Sequence, residues 1–157
     1  MTKKNKILII TSNKYPDGDA GAVRVHAFAK LFQECGHFVS VVGMGAYTNF
    51  SCKDNEGVPY ISVRNKGNTI QSKLNSYLLF KKRLQRFLAD NQDYDTIMYV
   101  NGPKRVLLYI KKLAQKKKIK LLHDSVEWYS PEQFRLGKWD RAYRSKDWLN
   151  RKGVTKG

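Results

Sequence analysis

Lys6-Ile7-Leu8-Ile9-Ile10-Thr11, followed by Ser12-Asn13-Lys14-Tyr15-Pro16-Asp17-Gly18-Asp19-Ala20-Gly21, is the stretch on which the reading of the fold turns. A short, unbroken apolar run behind a basic start suits a strand buried on both faces of a parallel sheet. The loop after it is polar. Beyond the loop, Val25, Phe28, Leu31 and Phe32 recur at helical spacing over residues 22–33, and Gly36 stands where a helix C-terminal glycine falls. Residues 38–42 are again apolar and β-branched. Strand, glycine-bearing loop, helix and strand make a right-handed βαβ crossover, and the architecture this predicts is α/β.

Working outward, residues 43–57 are glycine-rich and polar with no clear period, and 58–63 read as a third strand that Pro59 assigns to a sheet edge. Leu74, Tyr77, Leu78, Leu84, Phe87 and Leu88 form one stripe of a long helix over 70–91, with Lys81, Lys82, Arg83 and Arg86 mostly off the stripe. Residues 96–100 are the fourth strand, Gly102-Pro103 opens a helix with proline at its first position, and 120–123 form a short fifth strand. Ser130, Pro131 and Gln133 suggest a capping box for a short helix. The division predicted is a domain over 1–137 and a polar tail over 138–157.

Length and composition narrow the functional classes. A chain of 157 residues fits one domain, and 41% hydrophobic with 12% aromatic residues can bury a core, which disfavours disorder and low-complexity classes. Two cysteines, Cys35 and Cys52, cannot build a disulfide scaffold. The apolar run at 7–10 is too short for a signal-peptide core or a membrane span, so the expectation is a cytosolic protein. Thirty Lys and Arg against 13 Asp and Glu give a net charge of +17, which attracts anions such as nucleic acid, acidic lipid or a phosphorylated ligand.

In open α/β sheets, ligands bind beyond the carboxyl ends of the strands at the topological switch point. With strand order 3-2-1-4-5, the loop 12–21 faces Asn101 and Gly102 there, and His123 and Asp124 end the fifth strand nearby. The loop precedes a helix N-terminus, whose free N–H groups favour an anion such as phosphate. Gly18 and Gly21 equally suit a plain turn, because neither Gly-x-Gly-x-x-Gly nor a P-loop is present. Gly43-Met44-Gly45 is assigned to loop chemistry. His26 and His37 have no ligand-like spacing with the cysteines, so no metal site is expected, and the absence of Gly-x-Ser-x-Gly leaves a hydrolase triad without support.

The positive charge is uneven. Residues 104–120 hold eight Lys and Arg and no acid, and 73–86 hold five and no acid. A solvated helix face explains this, and so does docking on an anionic membrane, with Lys81, Lys82, Arg83 and Arg86 facing it. Nucleic acid is disfavoured, because no helix-turn-helix, zinc-finger or aromatic RNA-binding signature accompanies the basic runs.

Pro16-Asp17-Gly18-x-x-Gly21, Gly36-His37-x-Val39-x-Val41-Val42, Asp93-Tyr94-Asp95-x-Ile97 and Leu121-Leu122-His123-Asp124-x-x-Glu127-Trp128 occur in the order found in one family. Together they resemble the N-terminal domain of family 4 glycosyltransferases, and the resemblance spans nearly the whole chain. It implies a Rossmann-like, three-layer domain with a mostly parallel sheet, the N-terminal half of a GT-B architecture. The activity implied is retaining transfer of a sugar from a nucleotide-diphosphate sugar to a glycan or lipid-linked acceptor, with no cofactor or metal. The implied partners are the acceptor and a C-terminal Rossmann-like domain; where the acceptor is lipid-linked, the basic helix would hold the cleft at an anionic membrane surface, the cytoplasmic leaflet.

By this resemblance His123 matches the family's histidine that contacts the donor sugar. Gly18 and Gly21 match the glycine loop near the donor diphosphate, although Ala22 stands where a second glycine is often found. Asp124 and Glu127 complete the local motif, and Trp128 and Tyr129 are placed to stack on a sugar or pack on another domain. The second domain's Glu-rich motif has no counterpart here, so this chain alone is expected to transfer no sugar. The alternative reading is a basic Rossmann-like binding module for anionic lipid or nucleic acid, without catalysis.

Overall fold

The computed structural model describes residues 4–18, 20–44, 51–63, 70–91, 93–124, 130–140, 143–144 and 147, with the side chains of 70–78 outside that set. In chain order the elements are β1 (Lys6–Thr11), α1 (Ala20–Glu34), β2 (Phe38–Gly43), β3 (Lys53–Asn55), β4 (Val58–Ser62), α2 (Ile70–Asp90), β5 (Thr96–Val100), α3 (Lys104–Lys117) and β6 (Lys120–Asp124). Two 3-10 turns follow, Pro131–Gln133 and Gly137–Trp139.

The six strands form one sheet in the order β3-β4-β2-β1-β5-β6, parallel except for the β3–β4 pair. β1 is central because its apolar run has no polar face: Leu8, Ile9 and Ile10 are fully buried and Ile7 nearly so. Each such side chain contributes roughly 1.5–3 kcal/mol on burial. Alternation along the strand then sorts the core into two halves. Leu8 and Ile10 pack with Phe80, Leu84, Phe87 and Leu88 of α2 and with Val106, Leu107 and Ile110 of α3. Ile7 and Ile9 pack on the opposite face with Val25 and Ala29 of α1. The result is the helix–sheet–helix layering of a Rossmann-like domain.

Two local expectations hold and three are corrected. Gly36 closes α1 at φ +83°, a conformation that side-chain-bearing residues avoid, and α2 spans the predicted stretch. Pro103 is the residue before α3, extended at φ −64° and ψ 135°, and is not its first helical position. Ser130 makes no side-chain capping bond, and the segment it precedes is a single 3-10 turn instead of a capped α-helix. Pro59 does not mark the sheet edge: β3 pairs antiparallel outside β4, with Asp54 opposite Pro59.

The β3–β4 hairpin is tied to α1 by polar contacts. The His26 Nδ1 lies 2.9 Å from the Tyr15 hydroxyl and 3.3 Å from the Asn55 amide nitrogen, and its Nε2 lies 3.2 Å from Glu56 Oε2. Two donors at Nδ1 assign the ring proton to Nε2, facing Glu56. Lys30 Nζ and Gln33 Nε2 add bonds to the Glu56 and Gly57 carbonyls at 3.1 and 2.8 Å. Tyr15 is buried beneath this cluster, and that burial holds its phenol above the ordinary tyrosine range.

Candidate functional site

The connection from β1 through α1 goes to β2, whereas α2 returns the chain across to β5 on the other side of β1, so the switch point lies between β1 and β5. The two strand ends are stitched together there. The Ser12 backbone N–H donates to the Asn101 carbonyl at 3.0 Å, the Ser12 hydroxyl donates to the same oxygen, and Asn101 Nδ2 donates to Asn13 Oδ1 at 3.1 Å. Asn101 holds the left-handed φ of 45°, which asparagine tolerates better than most residues. Above this stitch is an open depression of about 430 Å³ lined by Ser12, Asn101, Gly102 and Pro103.

The glycines here are filled from within. A Cβ on Gly21 would collide with the carboxamide of Asn13, one on Gly18 with the Lys14 carbonyl, and one on Gly102 with the Tyr99 hydroxyl. Asn13 itself is 6% exposed, and its Nδ2 has no hydrogen-bond partner among the described residues. The loop therefore uses the missing side chains to pack its own polar groups under the start of α1. Nothing in the glycine spacing points to Asn13, and only the fold reveals its role.

His123 and Asp124 are separated by the alternation of β6. His123 lies opposite Tyr99 in register, and the two rings stack with centroids 5.9 Å apart at 26°. Tyr99 is fully buried, and its hydroxyl donates to the Pro103 carbonyl at 3.0 Å, which ties the pair to the entry of α3. Burial pushes the His123 imidazole below its usual pKa of 6.5, with the Asp124 carboxylate pulling weakly the other way, so the ring is neutral at pH 7. Its Nδ1 is buried with no partner among the described residues.

Asp124 points to the α1 side, where Arg24 grips it in a bidentate pair: Nε to Oδ2 at 3.0 Å and Nη2 to Oδ1 at 2.9 Å. The guanidinium also lies 5.2 Å from the centroid of the Phe28 ring. The Asp124 side chain is only 13% exposed, so the pair pins α1 to the end of β6. Arg24→Met keeps the aliphatic stem but leaves the carboxylate alone, and is expected to destabilise the domain by about 1–3 kcal/mol. Urea unfolding of Arg24→Met, Asp124→Asn and the double variant checks this, and strictly additive losses would show that the pair is not coupled.

Glu127 and Trp128 lie outside the described residues, as does Tyr129. Among the basic residues of α2, Lys82 and Arg86 are exposed while Lys81 and Arg83 are half-buried, and Arg83 donates to the Val63 carbonyl at 2.9 Å. Among the described residues, no three His, Cys, Asp or Glu side chains come together as a metal site would require, and no helix is long and apolar enough to cross a membrane.

No protein-family model and no curated protein sequence matches the chain. Solved structures do share its fold. A C-terminal domain of a Pyrococcus furiosus hydrogenase is similar over 79% of this chain and 93% of its own, with a TM-score of 0.53 and 21% identity. A sucrose-phosphate synthase from Thermosynechococcus elongatus is similar over 76% of this chain, with a TM-score of 0.57 and 12% identity. The chain spans 32% of that synthase. The fold is thus that of a Rossmann-like α/β domain, shared with a sucrose-phosphate synthase and with a hydrogenase's C-terminal domain.

Proposed function

We propose that this chain is the acceptor-side, N-terminal domain of a retaining glycosyltransferase of the family 4 type. It would work with a nucleotide-diphosphate sugar donor and a glycan or lipid-linked acceptor. The observation that carries this reading is the open depression at the β1/β5 switch point, in a sheet whose fold is shared with a sucrose-phosphate synthase. His123 supports it: a neutral imidazole at the carboxyl end of the sheet can donate or accept a hydrogen bond to a sugar hydroxyl without competing as a cation. In this proposal Ser12, Asn101 and Gly102 border the acceptor, and a second Rossmann-like domain holds the nucleotide.

The purified chain, supplied with uridine- and guanosine-diphosphate sugars and oligosaccharide acceptors, is expected to turn over neither donor. Measurable sugar transfer by the chain alone would overturn its assignment as half of a catalytic pair.

The α2–α3 layer favours an additional membrane role. Both helices pack on the same face of the sheet, and Lys82, Arg86, Arg105 and Lys112 are exposed there beside the partly exposed Leu79 and Leu108. An anionic leaflet attracts such residues by about 1 kcal/mol each. Co-sedimentation with phosphatidylserine-containing vesicles, and none with phosphatidylcholine alone, is the expected result. Replacing Lys82, Arg86 and Lys112 by serine should weaken it by about two orders of magnitude. Equal binding to both vesicle types would remove the membrane role. The reading as a basic module without chemistry would gain if oligonucleotides bound the chain as tightly as vesicles do.

A further inference from the structure

The two edges of the sheet are finished differently. On one side β3 closes the sheet with three polar residues, Lys53, Asp54 and Asn55, a short and charged edge of the kind that resists further pairing. On the other side β6 is the outermost of the described strands and pairs only with β5 among the described residues. The Lys120 N–H donates to the Asp95 carbonyl at 3.0 Å, so Lys120, Leu122 and Asp124 turn their backbone groups toward β5. By alternation, the N–H and C=O of Leu121 and His123 point outward along the free edge.

Beside this edge, between α3 and β6, lies an opening of about 390 Å³ lined by Lys111, Ala114, Gln115, Lys118, Ile119, Lys120 and Leu121. Ala114, Ile119 and Leu121 supply apolar surface, and three lysines surround it. The Leu121 side chain packs toward the α3 side of the sheet, so a strand added to β6 would place a side chain next to it, over the opening.

We propose that the β6 edge docks an extended, acidic segment of a partner protein, which joins the sheet as a seventh strand. Its backbone pairs with Leu121 and His123, one apolar side chain enters the opening, and its carboxylates face Lys111, Lys118 and Lys120. Charge selects this occupant. Residues 104–120 carry eight basic residues and no acid, whereas this chain's own residues 141–157 carry six Lys and Arg against a single acid and would be repelled. A second copy with net charge +17 is disfavoured on the same ground. Strand addition of this kind takes affinity from main-chain bonds and selectivity from side-chain pockets. The proposal does not depend on the sugar-transfer reading.

The test uses the full chain and an acetylated, amidated peptide in which two glutamates flank a central valine two residues away on either side, with threonine between, so that the carboxylates share the valine's face. Binding by fluorescence anisotropy, weakened by salt, together with slowed amide exchange at Leu121 and His123, is the expected result. Lys118→Gln with Lys120→Gln should weaken binding about tenfold while the melting temperature holds, since both side chains are exposed. The protein can also be left unchanged and the peptide N-methylated at alternate amides, which should abolish binding by removing the strand's donors. Equal binding of the methylated peptide, equal binding of the same peptide with lysine in place of glutamate, or exchange protection elsewhere than β6 would each overturn the proposal. Concentration-dependent dimerisation that buries β6 would overturn it in favour of a second copy.

Discussion

Tyr99→Ala is expected to lower the stability of the domain by about 3–5 kcal/mol, the range for truncating a buried aromatic ring. For a chain of this size that is a fall in melting temperature of roughly 10 °C or more. Three supports fail at once. The ring is fully buried in the α2–α3 half of the core, its face carries His123, and its hydroxyl holds the Pro103 carbonyl at the entry of α3. Tyr99→Phe separates these contributions, because it removes the hydroxyl alone and should cost only about 1 kcal/mol. Thermal and urea unfolding of the two variants check the pair. A loss below 1 kcal/mol for Tyr99→Ala would mean that the ring does not organise this end of the sheet.

On the proposed function, His123→Ala is expected to reduce sugar transfer by the protein carrying this domain about 100-fold in kcat/KM, the loss typical of removing one well-placed hydrogen-bonding group. Stability should change by no more than about 1 kcal/mol, since what is lost is a ring stack and a buried nitrogen with no partner among the described residues. Unchanged transfer would assign His123 to structure. The same variant has a signature in pH. The folded state holds the imidazole below its ordinary pKa of 6.5, so the unfolded chain binds the proton more readily. This contribution to stability is fully present above pH 6.5 and is lost as the pH falls below it, through the folded-state pKa. His123→Ala should therefore flatten the acid-side slope of unfolding free energy against pH, and an unaltered slope would place the titrating group elsewhere.

Strands largely buried on both faces announce themselves as short apolar runs, and β1, β2 and β5 were legible for that reason, whereas β4 and β6 are only partly buried and were legible through Val58, Tyr60 and Ile61 and through Leu121 and Leu122. β3 was not, because Lys53-Asp54-Asn55 has neither hydrophobicity nor alternation and exists only through its pairing with β4. The position of Asn101 against the first loop followed from strand order alone. The placing of His123 and Asp124 on opposite faces was also within reach, since neighbours on a strand always diverge. The hold of Arg24 on Asp124, across a hundred residues of chain, had no local signal. The glycine spacing left a ligand's approach and a plain turn equally open, and it carried no sign that Asn13, Lys14 and Tyr99 stand where the missing Cβ atoms would be.

The central position of β1 also sets a timetable for synthesis. Its first neighbour, β2, pairs Lys6 with Phe38, but its second, β5, pairs Ile7 with Thr96, so the two flanks of one strand become available at very different moments on the ribosome. A nascent chain that has extruded β1, α1 and β2 carries one finished seam and one raw one, and the raw seam belongs to a strand whose Leu8, Ile9 and Ile10 are fully buried in the folded domain. It must wait until β5 has emerged, after which closing so long an intervening loop is entropically costly. During that interval the newborn domain is at its most adhesive, and this is the stage at which a chaperone would find it.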